Sequence, residues 1–199
     1  MKKIITGIFL LCISFAAYSL DNTVPAGLNE YITKLTQDAS AILNNPNLTQ
    51  KAKIAKAQNL MKNNLDFDWM AHYTIGRIGR QTLSPGQIKK FVGVYSEYVT
   101  KAYTDLIKDY KGEQPKITGV RSGPNPTDFI VTMKIINNKG QEPITVEYLI
   151  HEIKKGIFKV ANITTEGISL INAQQEEFTN TLQNEGFDKL VENLQKHSI

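Results

Sequence analysis

Side chains that commonly carry metal or acid–base chemistry are few in this sequence and poorly spaced for acting together. The histidines are His72, His151 and His197, and no two of them stand at the spacing that metal ligands use. Asp66 and Asp68 form a D-x-D pair, which could either ligate a metal ion or cap helices. The large aromatic residues beside them favour capping. The sequence therefore predicts no metal site.

Signatures of nucleophilic catalysis and of phosphate loops are also absent from the sequence. Residues 167–170 read Gly-Ile-Ser-Leu, without the second glycine of a nucleophile elbow, and no base is identifiable. Gly76 and Gly79 are too close together for a phosphate loop. Arg77 and Arg80 share one helical face, where they could contact a phosphate headgroup or a partner's carboxylate, or form only a solvated face or an internal salt bridge. Because an active site needs several convergent titratable groups, we predict a protein that is not an enzyme and uses no cofactor.

The N-terminal residues predict export. Two lysines precede an apolar run over residues 4–15, and small residues at positions 17 and 19 suit a cleavage site. We therefore expect a signal peptide over residues 1–19, removed after about Ser19, and a single domain over 20–199. Cleavage would lower the formal net charge from +4 to +2. Because the lysines are also dispersed along the chain, no nucleic-acid binding is predicted.

Residues 23–111 are predicted to be helical. Apolar residues recur every three or four positions over 23–45, and Thr49 is a cap for the helix that follows. Ser84-Pro85-Gly86-Gln87 is a capping-box start. The helix that it opens, over 85–110, carries apolar and aromatic residues around an arc of about 180°, whereas a helix on one core needs only about 100°. We therefore expect this helix to be central and covered on two sides.

The middle of the chain, residues 115–166, alternates apolar and polar residues as β-strands do. Two long runs lie over 129–136 and 144–151, and Lys154-Lys155-Gly156 joins the second run to a third through a hairpin turn. Such short connections predict an antiparallel sheet of about four strands. Two further helices are expected over 168–197. The predicted fold class is α+β, with the sheet packed against a multi-helix lobe.

Three blocks of the sequence carry a resemblance to a known family. Residues 67–91 read FDWMA, then GRxxR, then SPxQxxxF; residues 158–160 read FKV; and residues 165–190 read TEGISLI, then Phe178, then GFDKL. Together these blocks resemble the MlaC family, the periplasmic phospholipid-binding carriers of the Mla lipid-transport pathway, also described as toluene-tolerance auxiliary proteins. The chain departs from residues that many members have at Phe158, Asn162 and Gln174-Gln175. Any partner or headgroup contact of those family residues is therefore not carried over.

The resemblance implies a curved antiparallel sheet with helices packed against it and a deep apolar cavity between them that takes phospholipid acyl chains. It implies residence in the periplasm of a Gram-negative bacterium. It also implies shuttling of lipid between an outer-membrane lipoprotein–porin complex and an inner-membrane ABC transporter with an MCE-domain component, which maintains outer-membrane lipid asymmetry.

A carrier of this kind needs a cavity that resembles hydrocarbon. Two chains of about 16 carbons stand to lose on the order of 25 kcal/mol in water, at ~0.8 kcal/mol per methylene, and we expect a cavity of about 1,000 Å³. The predicted lipid-binding residues are Tyr95, Val99, Tyr103 and Ile107 from the long helix, Phe129, Val131, Met133, Val146, Tyr148 and Ile150 from the sheet, and Trp69, Tyr73, Ile168 and Phe178 at the ends.

The same residue types would also build a filled core, so other interpretations stay open. One is an enzyme on a cone-shaped α+β fold that acts on a small apolar substrate, with His151 and Glu147 as a polar pair on one strand face. Another is an envelope adaptor that binds only proteins and has a solid core. No apolar stripe is left over after the predicted elements pack, which favours a monomer.

Overall fold

The computed structural model describes residues 24–25, 27–136 and 142–197. The predicted signal peptide over 1–19 lies outside these residues. The helices are α1 Leu28–Leu43, α2 Gln50–Asn64, α3 Phe67–Thr74, α4 Gly76–Thr82, α5 Pro85–Asp105, α6 Leu170–Asn184 and α7 Phe187–His197, with a 3-10 helix over Leu106–Asp109. The strands are β1 Gln114–Ser122, β2 Asp128–Ile136, β3 Ile144–Lys154, β4 Ile157–Thr165 and β5 Ile168–Ser169. None of the helices in these described ranges has the length and hydrophobicity of a transmembrane span.

The five strands form one antiparallel sheet in the order β1-β2-β3-β4-β5, so each strand pairs with its neighbour in sequence. The α+β class and the antiparallel pairing are confirmed. Gly156 turns the β3–β4 hairpin at φ 75°, a conformation that glycine adopts without strain. The fifth strand is the difference from the prediction of about four strands. This strand contains Ile168, which we expected at the start of a helix. The helix α6 begins only at Leu170, because the hydroxyl of Ser169 caps it by accepting a hydrogen bond from Asn172 N at 3.3 Å.

Local sequence signals explain most helix boundaries. Thr49 caps α2, with its hydroxyl accepting from Ala52 N at 3.2 Å. At the start of α5, Ser84 N donates to the Gln87 side chain (2.9 Å) and Gln87 N donates to the Ser84 hydroxyl (3.3 Å), the reciprocal pair of a capping box. The helix predicted to reach residue 110 ends at Asp105 instead, because the chain tightens into the 3-10 helix as it turns towards β1.

The helical lobe has a filled aromatic core between α5 and α6. The Phe178 ring lies edge-on to the rings of Phe91, Tyr95 and Tyr98, with centroids 6.1–6.2 Å apart, a geometry that aromatic pairs favour. We call these four residues the aromatic core. The central helix α5 also packs against α2, α3 and α7, so it is covered on more than one side, as its wide apolar arc predicts.

The helical lobe is joined to the sheet where α2 ends. Leu65 forms a parallel bridge with Val160 on β4, and Asp66 N donates to Val160 O at 2.8 Å. The next residues enter α3, whose end is marked by Gly76 at φ 61°. A Cβ at Gly76 would lie 2.8 Å from the Thr179 methyl, so glycine is needed there for α4 to approach α6 closely.

Candidate functional site

An apolar cavity of about 270 Å³ lies between α1, α2, the C-terminal part of α5 and the inner face of the sheet. It is lined by sixteen residues: Ile32, Leu35, Thr36, Ala39, Leu60, Met61, Asn64, Leu65, Tyr103, Pro115, Val131, Met133, Tyr148, Ile150, Val160 and Ile163. We call them the cavity wall. None of them carries a charge.

The periods of helix and strand place these side chains on one surface. On α1, residues 32, 35, 36 and 39 follow the three- and four-residue spacing of a single helical face. On the sheet, Val131 pairs with Tyr148, so alternate residues of β2 and β3 meet on the inner face. Leu65 closes the side where α2 meets β4.

Four members of the cavity wall carry polar atoms: Thr36, Asn64, Tyr103 and Tyr148. The Asn64 side-chain amide is occupied, because it donates to Leu60 O at 2.8 Å. Burial raises the pKa of the Tyr103 and Tyr148 hydroxyls above their usual value, and the two phenols are close enough for Tyr148 to raise the pKa of Tyr103 further. Both hydroxyls are therefore protonated at neutral pH. The wall offers a ligand hydrocarbon contacts and a few neutral hydrogen-bonding groups.

Comparison with known proteins assigns the chain to a protein family. The sequence model of the MlaC protein family matches residues 33–196, most of the chain. The chain belongs to the MlaC family. The resemblance drawn from the sequence blocks is thereby confirmed, and the match includes every residue of the cavity wall except Ile32.

Two further comparisons agree with membership of the MlaC family. The chain is 20% identical over 195 residues to the intermembrane phospholipid transport system binding protein MlaC of Haemophilus influenzae, covering 94% of this chain and 90% of that protein. Its fold is similar to that of a phospholipid-binding protein from Ralstonia solanacearum, solved in complex with a phospholipid. The TM-score is 0.70 at 19% identity, covering 85% of this chain and 95% of that one. At this identity the structural match establishes the shared fold.

Five of the fourteen residues predicted to bind lipid in this MlaC family member line the cavity. They are Tyr103, Val131, Met133, Tyr148 and Ile150. Among the described residues, the other nine lie outside the cavity wall. Tyr95 and Phe178 belong to the aromatic core, and Val99 is buried on the same helix as Tyr95.

The remaining six predicted residues have other surroundings. Phe129 packs edge-on to Phe158, and Ile107 lies in the 3-10 helix. Val146 is buried and pairs with Met133 of the cavity wall, but it does not itself line the cavity. Trp69 and Tyr73 stack on each other with ring centroids 5.0 Å apart. Ile168 is 71% exposed on β5. An alternating or helical pattern identifies an apolar face, but it does not say which part of that face borders a void.

Eleven residues of the cavity wall were not predicted, and most of them come from α1 and α2. The apolar spacing of α1, with Ile32, Leu35 and Ala39 on one face, was the available signal. This spacing indicates that one face of α1 lies against an apolar surface, and in the structure that surface is the inner face of the sheet. Nothing comparable marks α2, which has no buried residue and only weak amphipathicity.

The polar residues singled out from the sequence lie outside the cavity. His151 lies between two carboxylates, with its Nδ1 3.6 Å from Asp66 and its Nε2 3.6 Å from Asp128. Glu147 instead accepts hydrogen bonds from Arg121 and Thr132, both at 3.2 Å. The pair of His151 and Glu147 considered for an enzyme is therefore not inside the cavity.

The D-x-D pair and the arginine pair have structural contacts in this MlaC family member. Asp66 caps α3 by accepting from Trp69 N at 3.3 Å, and Asp68 lies exposed in the first turn of the same helix. Arg80 donates to His72 O at 2.8 Å, and Arg77 is exposed. In the part of the chain that the structure describes, no group of three or more His, Cys, Asp or Glu residues is arranged to hold a metal ion.

The residues at which the chain departs from the family pattern are tied to their neighbours. Gln174 accepts a hydrogen bond from the Tyr95 hydroxyl at 2.7 Å inside the helical lobe. Gln175 donates to Tyr73 O at 2.6 Å. Asn162 donates to the Ser169 hydroxyl at 2.9 Å, which ties β4 to the start of α6. In this member of the family, these three positions stabilise contacts between elements.

Proposed function

We propose that this protein is a periplasmic carrier that binds phospholipid acyl chains in the cavity between α1, α2 and the sheet. The observation that supports this most is the cavity wall itself, sixteen uncharged residues lining an apolar, partly open space within an MlaC family fold. Such a wall replaces the hydrocarbon surroundings that a lipid loses when it leaves a membrane. The phospholipid held by the structurally similar Ralstonia solanacearum protein supports the same ligand class here.

The cavity volume corrects our expectation of about 1,000 Å³. A cavity of 150 Å³ holds one benzene molecule, so 270 Å³ holds on the order of ten carbon atoms. A chain of about 16 carbons is therefore longer than this cavity holds, and we propose that the cover formed by α1 and α2 moves outwards to admit it. On α1 only Leu28 and Ile32 are buried, and α2 has no buried residue. Few buried residues hold this cover, so its displacement should cost less than that of the central helix α5, which has six.

Transport follows from differential binding and needs no chemical step. We propose that the carrier, a monomer, takes phospholipid from one membrane complex and releases it to another. These are an outer-membrane lipoprotein–porin complex and an inner-membrane ABC transporter with an MCE-domain component, and the exchange maintains outer-membrane lipid asymmetry. Each partner shifts the balance between the loaded and empty protein only by as much as it prefers one of them. The name of the Haemophilus influenzae relative, an intermembrane phospholipid transport binding protein, supports this role.

The test is lipid extraction and native mass spectrometry of freshly purified protein. The wild type is expected to carry added phospholipid masses. Val131→Trp and Ile150→Trp place an indole into the cavity from β2 and β3, so we expect each variant to lose most of the bound lipid. Ile157→Trp, an exposed position at the β3–β4 hairpin, is the matched control and should retain it.

The outcomes separate a carrier from an adaptor with a solid core. A wild type that shows only the bare polypeptide mass, after purification without detergent, contradicts the proposal. If a Trp variant unfolds at the same temperature as the wild type and carries as much lipid, the substituted residue, Val131 or Ile150, does not line the lipid-binding site. Ala39→Phe, which fills the same space from α1, gives an independent check if the sheet variants do not fold.

A further inference from the structure

The cavity wall contains two tyrosines where phenylalanine would fill the same space. Tyr103 from α5 and Tyr148 from β3 both line the cavity. A tyrosine hydroxyl is protonated at neutral pH at its ordinary pKa of about 10, and burial raises the pKa of both hydroxyls further. Each hydroxyl is therefore able to donate a hydrogen bond. A cavity built only to hold methylene groups gains nothing from these two oxygens, since a polar group in hydrocarbon is unfavourable unless it finds a partner.

The protein does not supply that partner within its described residues. The buried Tyr95 donates to Gln174, and the half-exposed Tyr73 donates to Asn172 at 2.8 Å. By contrast, neither the Tyr103 nor the Tyr148 hydroxyl has a hydrogen-bond partner among the described side chains. Both residues are only half-buried and line the cavity, and neither hydroxyl is a fully buried unpartnered atom, so both oxygens keep surface that a ligand can reach. The hydroxyls of largely buried tyrosines ordinarily find a partner in the protein. This difference sets the two cavity tyrosines apart from the tyrosines of the helical lobe.

A third polar group in the same wall is also unpartnered. The Thr36 hydroxyl on α1 is buried and makes no hydrogen bond to the described residues, although a helical threonine can ordinarily bond to the carbonyl one turn back. Thr104 does so on α5, by donating to Thr100 O at 2.9 Å. Three elements, α1, α5 and β3, thus each bring an unpartnered neutral hydroxyl to an uncharged wall.

We propose that Tyr103 and Tyr148 form a polar subsite that donates hydrogen bonds to an ester carbonyl oxygen of the bound phospholipid. This inference rests on the proposed function and adds the chemical group that is recognised. A neutral donor pair suits a carbonyl oxygen, which accepts hydrogen bonds and carries no charge. The wall holds no cation that would pair with a phosphate, so a charged headgroup does not fit this position.

The test compares two lipids that differ only in the carbonyl groups. Protein stripped of lipid is offered an equimolar mixture of dipalmitoyl phosphatidylethanolamine and its di-O-hexadecyl ether analogue, and native mass spectrometry counts the two complexes. Because one net hydrogen bond is worth a few-fold in affinity, we expect the wild type to prefer the ester lipid by about 3- to 10-fold for each hydroxyl that is used. Tyr103→Phe and Tyr148→Phe should each reduce this preference, and the double variant should abolish it.

Tyr98→Phe is the matched control, because Tyr98 lies in the aromatic core and does not line the cavity. It should keep the full preference. Equal binding of the two lipids by the wild type overturns the subsite and leaves the carrier function intact. A preference that survives in the folded double variant overturns it as well. Binding of neither lipid overturns the carrier function together with the subsite, so the two failures are distinguishable.

Discussion

The aromatic core and the cavity wall are both uncharged and largely apolar, yet one is filled and the other is hollow. In the aromatic core, Phe178 lies against three aromatic rings between α5 and α6. In the cavity, aliphatic side chains of α1 and α2 face the sheet across about 270 Å³ of space. The difference does not come from hydrophobicity. It comes from how closely the helices approach what they cover.

Close approach has identifiable causes on the filled side. The backbone at Gly76 lets α4 lie against α6 where any side chain would collide with Thr179, and large rings then fill the space between α5 and α6. The cover of the cavity lacks both features. It contributes only Leu28 and Ile32 as fully buried residues of α1. The comparison shows that one small protein can combine a closely packed half with a half whose interior has space for a ligand.

Truncation of one large side chain in each half should give the largest contrast. Phe178→Ala opens a void in close-packed surroundings and should lower the free energy of unfolding by about 3–5 kcal/mol. Met133→Ala in the cavity wall removes fewer contacts, because part of its surroundings is already empty, and should cost about 2 kcal/mol. Urea denaturation followed by circular dichroism measures both. Equal losses would mean that the cavity wall is as closely packed as the aromatic core.

Adding the same three carbons to each half should have opposite consequences. Ala71 is completely buried in α3, so Ala71→Leu overpacks the filled half and should cost about 1–3 kcal/mol. Ala39→Leu, on the cavity face of α1, projects into existing space and should change stability by less than about 1 kcal/mol while displacing bound lipid. Both are alanine-to-leucine changes inside helices, so helix propensity contributes equally. If Ala39→Leu lowers stability as much as Ala71→Leu does, the space beside Ala39 is not empty, and the prediction is wrong.

Sequence reasoning predicted the fold well because its signals are local. The capping box at Ser84, the hairpin glycine at 156 and the alternation in β2 and β3 each act within a few residues, and the structure contains all three. The antiparallel order followed from short connections. The end of α5 and the two-residue β5 were not predicted, because the 3-10 turn and the Ser169 cap each depend on one or two hydrogen bonds.

The site was harder to predict, because a void is a property of separated elements. Val131 and Val99 are both nearly inaccessible valines at apolar positions, yet only Val131 borders the cavity. Which one does so depends on the distance between helix and sheet, and no local pattern contains that distance. The residues of α1 were missed for the same reason. Their spacing indicates a buried face without saying what lies opposite.

The smallest effect is expected at the boundary between the two halves, where consecutive residues belong to different regions. Leu65 lines the cavity, whereas Asp66 caps α3 and lies 3.6 Å from His151. The neighbouring His151 ring lowers the pKa of Asp66 below its usual value of 3.8, and the hydrogen bond from Trp69 N and the charge of Lys159 add to this. A carboxylate with a lowered pKa stabilises the fold above its unfolded pKa, and this contribution is lost as the pH falls through the folded pKa.

We therefore expect the free energy of unfolding to fall as the pH drops below about 4, and Asp66→Asn to show a shallower fall over that range. Asparagine also caps helices, so Asp66→Asn should keep the cap, whereas Asp66→Ala loses it at a cost of about 1 kcal/mol at pH 7. Urea titrations between pH 2.5 and pH 7, run on all three proteins, make the comparison. If the free energy of unfolding depends on pH in the same way for the wild type and Asp66→Asn, the charge of Asp66 does not stabilise the contact between the two halves. In that event the cap and the Asp66 N–Val160 O hydrogen bond alone hold the α2–α3 junction against β4.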